Sequence, residues 1–417
     1  MSSRLLKHIR QLINVHPGDK PLYGEQMAVL PLVENAWLLM EGNEIAGFGP
    51  MADLERVLPN LPDEIINCQD RLVLPAWCDS HTHLVFAGSR EHEFVDKIGG
   101  MDYAQINQRG GGILHTVRQI EEIAEDELFR ISWKRLEEIA KLGTGAVEIK
   151  SGYGLTVESE LKMLRVIRRL REKSRLQVRA TFLGAHTYPV HYRDNHAAYI
   201  EEIVHQMLPV IARDNLADYI DVFCEKGFFS PEEMQTICLA GQQYGLQAKL
   251  HVNQLNSIGG FAGGMKLNAL SLDHLETLSS TDIDLLKNAD WKGLCTLLPT
   301  AAFFLRMQYP PARVLLEAGA ALALASDYNP GSSPSGNMNF VIALACIQMK
   351  LFPEEALNAA TVNGAYAMGL GHRLGSIAKG KLANLIITQP VPSLAYLPYC
   401  FGSNSIDKVI LGGEIVA

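Results

Sequence analysis

Long apolar runs are missing from this chain. None reaches the roughly 18–20 residues that a membrane-spanning helix needs. A basic excess is missing too. Net charge is -9 and the pI is near 5.8, which argues against nucleic acid, whose binders carry a basic footprint. Cys-x-x-Cys pairs are absent. The seven cysteines are odd in number and scattered, so they are expected to be buried thiols of a reducing compartment, not a disulfide framework. Residues 1–15 carry Arg4, Lys7 and Arg10 and lack the apolar core of a signal peptide. There are no repeats or low-complexity tracts, and no Gly-x-Gly-x-x-Gly follows an early strand. The expectation is a soluble, cytoplasmic protein whose partner is a small molecule, with no nucleic acid and no membrane.

What is present is ordinary globular material: 417 residues, 47% hydrophobic and 20% charged. That length suits one large domain plus a smaller one. The first 74 residues show short β signals, including a hairpin over residues 36–48 with a glycine turn, and slight helix near residues 51–58. Residues 382–387 and 408–416 have the same texture. Both ends, 1–74 and 372–417, are expected to pair into a small β-sandwich domain.

Between them, over 75–371, amphipathic helical segments alternate with short apolar runs. Helices are expected at 121–141, 157–173, 196–213 and 231–244. Strands are expected at 145–150, 177–183, 218–223, 246–252, 269–274, 292–298 and 320–326. Alternation of this kind means a parallel sheet, and at this length a closed (β/α)8 barrel leads. A doubly wound open sheet is the alternative.

Polar residues fall at the strand ends, where barrels carry their chemistry. Residues two apart on a strand share a face, so His81 and His83 can grip one ion together. His186, His251, His274 and Asp327 each follow a later strand. Singly, each could be a hydrogen-bonding or turn residue. Jointly they read as a metal site, and imidazole with one carboxylate suits zinc or iron over magnesium or calcium.

The motifs resemble the amidohydrolase superfamily: residues 79–90 around Asp79-Ser80-His81-Thr82-His83, 110–114, Val147 to Leu155, Leu183 to His186, Asp273 to Glu276, and Asp327 to Gly331. They span most of the chain. Within the superfamily they are most similar to the imidazolone-ring hydrolases of histidine degradation. The resemblance implies one metal, zinc or iron, on His81, His83, His251 and Asp327. It implies hydrolytic opening of 4-imidazolone-5-propanoate to N-formimidoyl-L-glutamate. His274 would take the proton of the attacking water, and Asp327 would pass one to the leaving nitrogen. Arg90 would hold the propanoate bidentately. Tyr103, Tyr153, His186, Asn329, Gly331 and Ser332 resemble further substrate contacts, although many members place threonine where Ser332 stands. Gln254 is a larger departure. Some relatives have an acid there, and an amide cannot act as a base, which shifts that role to His274. A homodimer is a habit of the superfamily.

Lys150 raises a two-metal question, because binuclear relatives bridge two ions with a carbamoylated lysine. Counted along the sequence, Lys150 ends the third barrel strand, and the fourth-strand position falls near His186. One metal is favoured, with Lys150 a buried salt-bridge partner. Two rivals remain at this point: another aminohydrolase releasing ammonia from a heterocyclic amine, and a non-catalytic scaffold.

Overall fold

The structure, a computed structural model, describes residues 3–101 and 111–417. Tyr103 lies outside the described residues. The chain opens with β1 (Ser3–Ile13), β2 (Leu32–Glu41) and β3 (Glu44–Pro50), antiparallel in turn. Gly42, with φ +59°, turns the second strand into the third. Next, β4 (Glu64–Asn67) and β5 (Arg71–Pro75) run parallel to β1.

Eight parallel strands follow, hydrogen-bonded in sequence order. They are β6 (Trp77–Thr82), β7 (Thr144–Lys150), β8 (Gln177–Ala185) and β9 (Tyr219–Cys224). Then come β10 (Gln247–Val252), β11 (Ser271–His274), β12 (Leu294–Leu297) and β13 (Leu322–Leu324). The last meets the first. Asp327 N donates to His81 O at 3.0 Å, and His83 N to Tyr328 O at 2.9 Å. The buried Asp79 carboxylate accepts Ser326 N at 2.9 Å across the same seam. The sheet is therefore a nearly closed barrel. Its strands are buried almost throughout, as a sheet covered by helices requires.

The chain ends in β14 (Leu385–Pro390), β15 (Ile406–Leu411) and β16 (Glu414–Ile415). These join the first group in one separate sheet, ordered β16-β15-β14-β5-β1-β2-β3 with β4 beside β1. Leu38, Met40 and Ile45 share a core with Leu385, Ile387 and Ile410, although β1 and β5 lie between them in the sheet. The sheet thus folds over its own inner face. Backbone bonds draw its ends together, Ile45 N to Lys381 O at 2.8 Å and Ala383 N to Asn43 O at 2.9 Å.

Local signals explain most helix ends. Val157–Lys173 begins after Thr156, whose hydroxyl caps Ser159 N. Pro231–Gln243 starts with a Ser230/Glu233 capping box and proline in the first turn. The expected helix over 121–141 divides instead. One helix, Ile113–Glu122, ends where Ile123 and Ala124 turn extended, and Glu125–Lys141 begins anew with three acids in its first turn.

The strand count also changes. β7 pairs directly with β6, through Cys78↔Ala146 and Asp79↔Val147, so Lys150 ends the second barrel strand, not the third. His186 follows the third strand, and β9 is the fourth. All seven cysteines are free, and five are buried. Among the described residues no helix is long and apolar enough to cross a membrane.

Candidate metal centre and substrate cavity

Three imidazoles and one carboxylate converge where the barrel strands end. His81 and His83 Nε2 each lie 3.6 Å from Asp327 Oδ1. His83 Nε2 and His251 Nε2 are 3.4 Å apart. The buried Nε2 of His81 has no hydrogen-bond partner. Two carboxylates fix the tautomers: Asp273 Oδ2 lies 2.7 Å from His81 Nδ1, and Asp221 Oδ2 lies 2.8 Å from His251 Nδ1. Each holds its histidine's proton on Nδ1 and leaves the Nε2 lone pair facing the common point, as metal-binding histidines require.

The electrostatics agree. Burial, then neighbouring imidazoles and Lys150, hold His81, His83 and His251 well below the ordinary histidine range, so they are neutral. Burial pushes the Asp327 carboxyl up to about 6, a cost that a cation at the convergence point relieves. Neutral imidazoles with unshared lone pairs around one carboxylate fit a metal ion. Asn253, His274 and Asp327 have φ of 56°, 85° and 52°, a region disfavoured for side chains. Such strain costs of order 1–3 kcal/mol per residue and clusters at functional sites.

His274 stands beside this group, its ring 5.2 Å from His251 and 5.5 Å from His81. Its Nδ1 faces Glu276 Oε1 at 3.4 Å. Burial alone would lower His274, but Glu276, Asp327 and Asp273 outweigh it and hold its pKa raised. His274 therefore differs from the three lone-pair donors in readiness to carry a proton.

Above the group opens a cavity of about 520 Å³. Of the residues singled out in the sequence, His83, Arg90, Tyr153, His186, His251, Gln254, His274, Asp327, Asn329, Gly331 and Ser332 line it. His81 is buried beneath. His186 stacks on His83 with ring centres 5.2 Å apart, and burial pushes its imidazole down to about 4. Being neutral, it donates Nδ1–H to Gly152 O at 3.0 Å and presents an acceptor nitrogen. The Asn329 side chain builds the last turn: its Oδ1 accepts Gly331 N and Ser332 N at 2.7 and 2.8 Å. A Cβ at Gly331 would meet the Arg90 guanidinium, so a side chain there would displace that group.

A family model described as "Amidohydrolase family" matches residues 72–416. The chain belongs to the amidohydrolase family. The chain is 55% identical over 413 residues to a protein of Flavobacterium johnsoniae named imidazolonepropionase, covering 99% of each. It is 50% identical, again over 99% of each, to the imidazolonepropionase of Christiangramia forsetii. Among solved structures it resembles an adenosine deaminase from Xanthomonas campestris with bound zinc. That match has a TM-score of 0.74, 17% identity, and covers 99% of this chain and 92% of that one. It also resembles E. coli guanine deaminase, with a TM-score of 0.75, 16% identity, and coverage of 100% and 99%. At such identities the structural likeness speaks for the amidohydrolase fold alone.

Beneath this amidohydrolase site lies a charge network that the sequence reading largely missed. Lys150 Nζ sits 2.7 Å from Glu148, 2.8 Å from Asp221 and 3.7 Å from Asp273, fully buried. Lys249 Nζ reaches Glu148 at 3.1 Å. Lys150 is thus engaged in ion pairs, because it stands on the second strand, next to the carboxylates that orient His81 and His251. Burial works against its charge, but Asp221, Glu148 and Asp273 together raise its pKa. A sequence signal existed: Glu148 and Lys150 are two apart on an otherwise apolar strand, so both point into the barrel. Lys150→Met should leave these carboxylates undercompensated and cost about 3–5 kcal/mol of stability. Denaturant unfolding would check this, and a variant as stable as the parent would refute it.

Other missed residues are buried glutamates that pin the cavity wall. Glu160 accepts the backbone N–H groups of Gly152, Gly154 and Leu155, on either side of Tyr153. Glu225 accepts Leu255 N and Asn256 N at 2.8 and 3.1 Å, next to Gln254. Nothing local in the sequence pairs these acids with loops 5–31 residues away.

Proposed function

We propose that the chain hydrolyses the ring amide of 4-imidazolone-5-propanoate to N-formimidoyl-L-glutamate. The carrying observation is the full-length identity of 50–55% to proteins named imidazolonepropionase, on a chain that brings Arg90 and the His/Asp cluster to one cavity. His81, His83, His251 and Asp327 would hold one zinc or iron ion. Bound there, the metal would supply Lewis acidity at the ring carbonyl and acidify water at its open position.

The protein's own groups divide the remaining work. His274, with Nδ1 turned to Glu276, takes the attacking water's proton at Nε2. Asp327 carries the water's second proton to the departing ring nitrogen, its other oxygen steadied by Ser332 Oγ at 3.0 Å. Tyr153, His186, Gln254 and Asn329 orient the ring from the wall. Gln254 can only donate and accept hydrogen bonds, so the base role rests on His274. Arg90 receives the propanoate. The same reading makes the protein a cytoplasmic homodimer, which size-exclusion chromatography of the purified chain would test.

Arg90→Ala should raise KM by roughly ten- to a hundredfold with little change in kcat, since a charged hydrogen bond to the substrate tail is lost. Steady-state assays following imidazolone absorbance measure it, and an unchanged KM would count against the assignment. The function itself is tested by the same assay on metal-quantified protein. Ammonia release without loss of imidazolone absorbance would reject it in favour of an aminohydrolase.

A further inference from the structure

The helix Glu91–Ile98 brings more charge to the cavity than Arg90. Arg90, Phe94, Lys97 and Ile98 recur at helical spacing and line the wall together. The Arg90 guanidinium is partly spent. Its Nε and Nη2 donate to Glu93 Oε2 at 2.9 and 2.7 Å, and Glu93 Oε1 accepts Gly112 N at 2.9 Å. That leaves only its outer edge for a ligand. Lys97 is different. Half-buried, its ammonium donates to Gly331 O at 3.4 Å and stands 5.9 Å from the Phe304 ring centre. Among the described residues no carboxylate lies within 4 Å of it. Gly331 thus sits between two cations, with Arg90 packed against its Cα and Lys97 on its carbonyl.

Among the described residues one anion, Glu93, faces these two cations, so one positive charge there is unmatched. The surroundings are apolar: Phe94, Ile98, Met101, Phe304 and Met307 line the same end. Burial and the nearby Arg90 both work against the charge on Lys97 and outweigh the attraction of Glu93. An unpaired ammonium among such side chains is costly, and an incoming carboxylate removes that cost.

We propose that Lys97 and Arg90 form a two-cation clamp for the carboxylate of the substrate side chain, with Lys97 the residue that selects for an acidic tail. This rests on the imidazolone-propanoate reading. The outer edge of Arg90 takes one carboxylate oxygen, and Lys97 takes the other. A neutral tail leaves Lys97 unpaired and is rejected for that reason.

The test compares the parent enzyme with Lys97→Met, Lys97→Gln and Lys97→Arg, on imidazolone propanoate and on the same ring with its tail as the amide. Expected for Met and Gln is a KM for the acid raised about tenfold, with kcat within about twofold. Arg should restore KM to near the parent value. On the amide, Met and Gln should lower KM below the parent value, because the ammonium that rejects a neutral tail is gone. Gln carries the test should Met not fold. An unchanged KM, or an equal loss on both substrates, overturns the role of Lys97 while parent turnover of the acid leaves the functional reading standing. Absence of parent turnover overturns both.

Discussion

Stripping the metal should abolish ring opening, with activity falling about a thousandfold or more, the equivalent of several kcal/mol of lost transition-state stabilisation. One equivalent of zinc or iron should restore it. The physical ground is the donor set. His81, His83 and His251 are buried and neutral; His81 and His83 lie 3.6 Å from Asp327, and His251 lies 3.4 Å from His83. Without a cation, lone pairs and a carboxylate face one another in a dry pocket, so the melting temperature should fall as well. The measurements are elemental analysis, turnover and thermal unfolding of chelated and reconstituted protein. Full activity in protein shown to be metal-free would refute the site.

His274→Ala should lower kcat by roughly a hundred- to ten-thousandfold, the range for removing a general base, while metal content stays at the parent level. His274 is set apart from the ligands by its partner. Asp273 and Asp221 hold protons on the Nδ1 atoms of His81 and His251, leaving lone pairs for an ion. Glu276 instead supports a raised pKa on His274. A glutamate at position 254 would be a second candidate base, but Gln254 cannot accept a proton. The loss should therefore be steeper here than a shared role would give. Loss of metal together with activity would instead place His274 among the ligands, since its ligand atoms also lie within reach of His81 and His251.

Much of this was legible in order along the chain. Alternating apolar runs and amphipathic helices announced the parallel barrel, because strands joined by helices pair in parallel. His81 and His83 announced the ion, because a strand puts residues two apart on one face. His186, His251, His274 and Asp327 followed at strand ends, and the structure gathers them with Arg90, Tyr153, Gln254, Asn329, Gly331 and Ser332 around one cavity.

Strand order was where linear reading failed. Counting from sequence put Lys150 on the third strand, whereas the pairing of Cys78 with Ala146 puts it on the second. That single step decides its chemistry, since only there does Lys150 reach both Asp221 and Asp273. The sequence by itself determined most element types and placed the candidate ligands at strand ends, because periodicity and side-chain chemistry are local. Only the tertiary structure decided which acid orients which histidine, and that Glu93 pairs with Arg90 while, among the described residues, no carboxylate lies within ion-pair distance of Lys97. Those are distances between residues far apart in the chain, and closure of the barrel sets them.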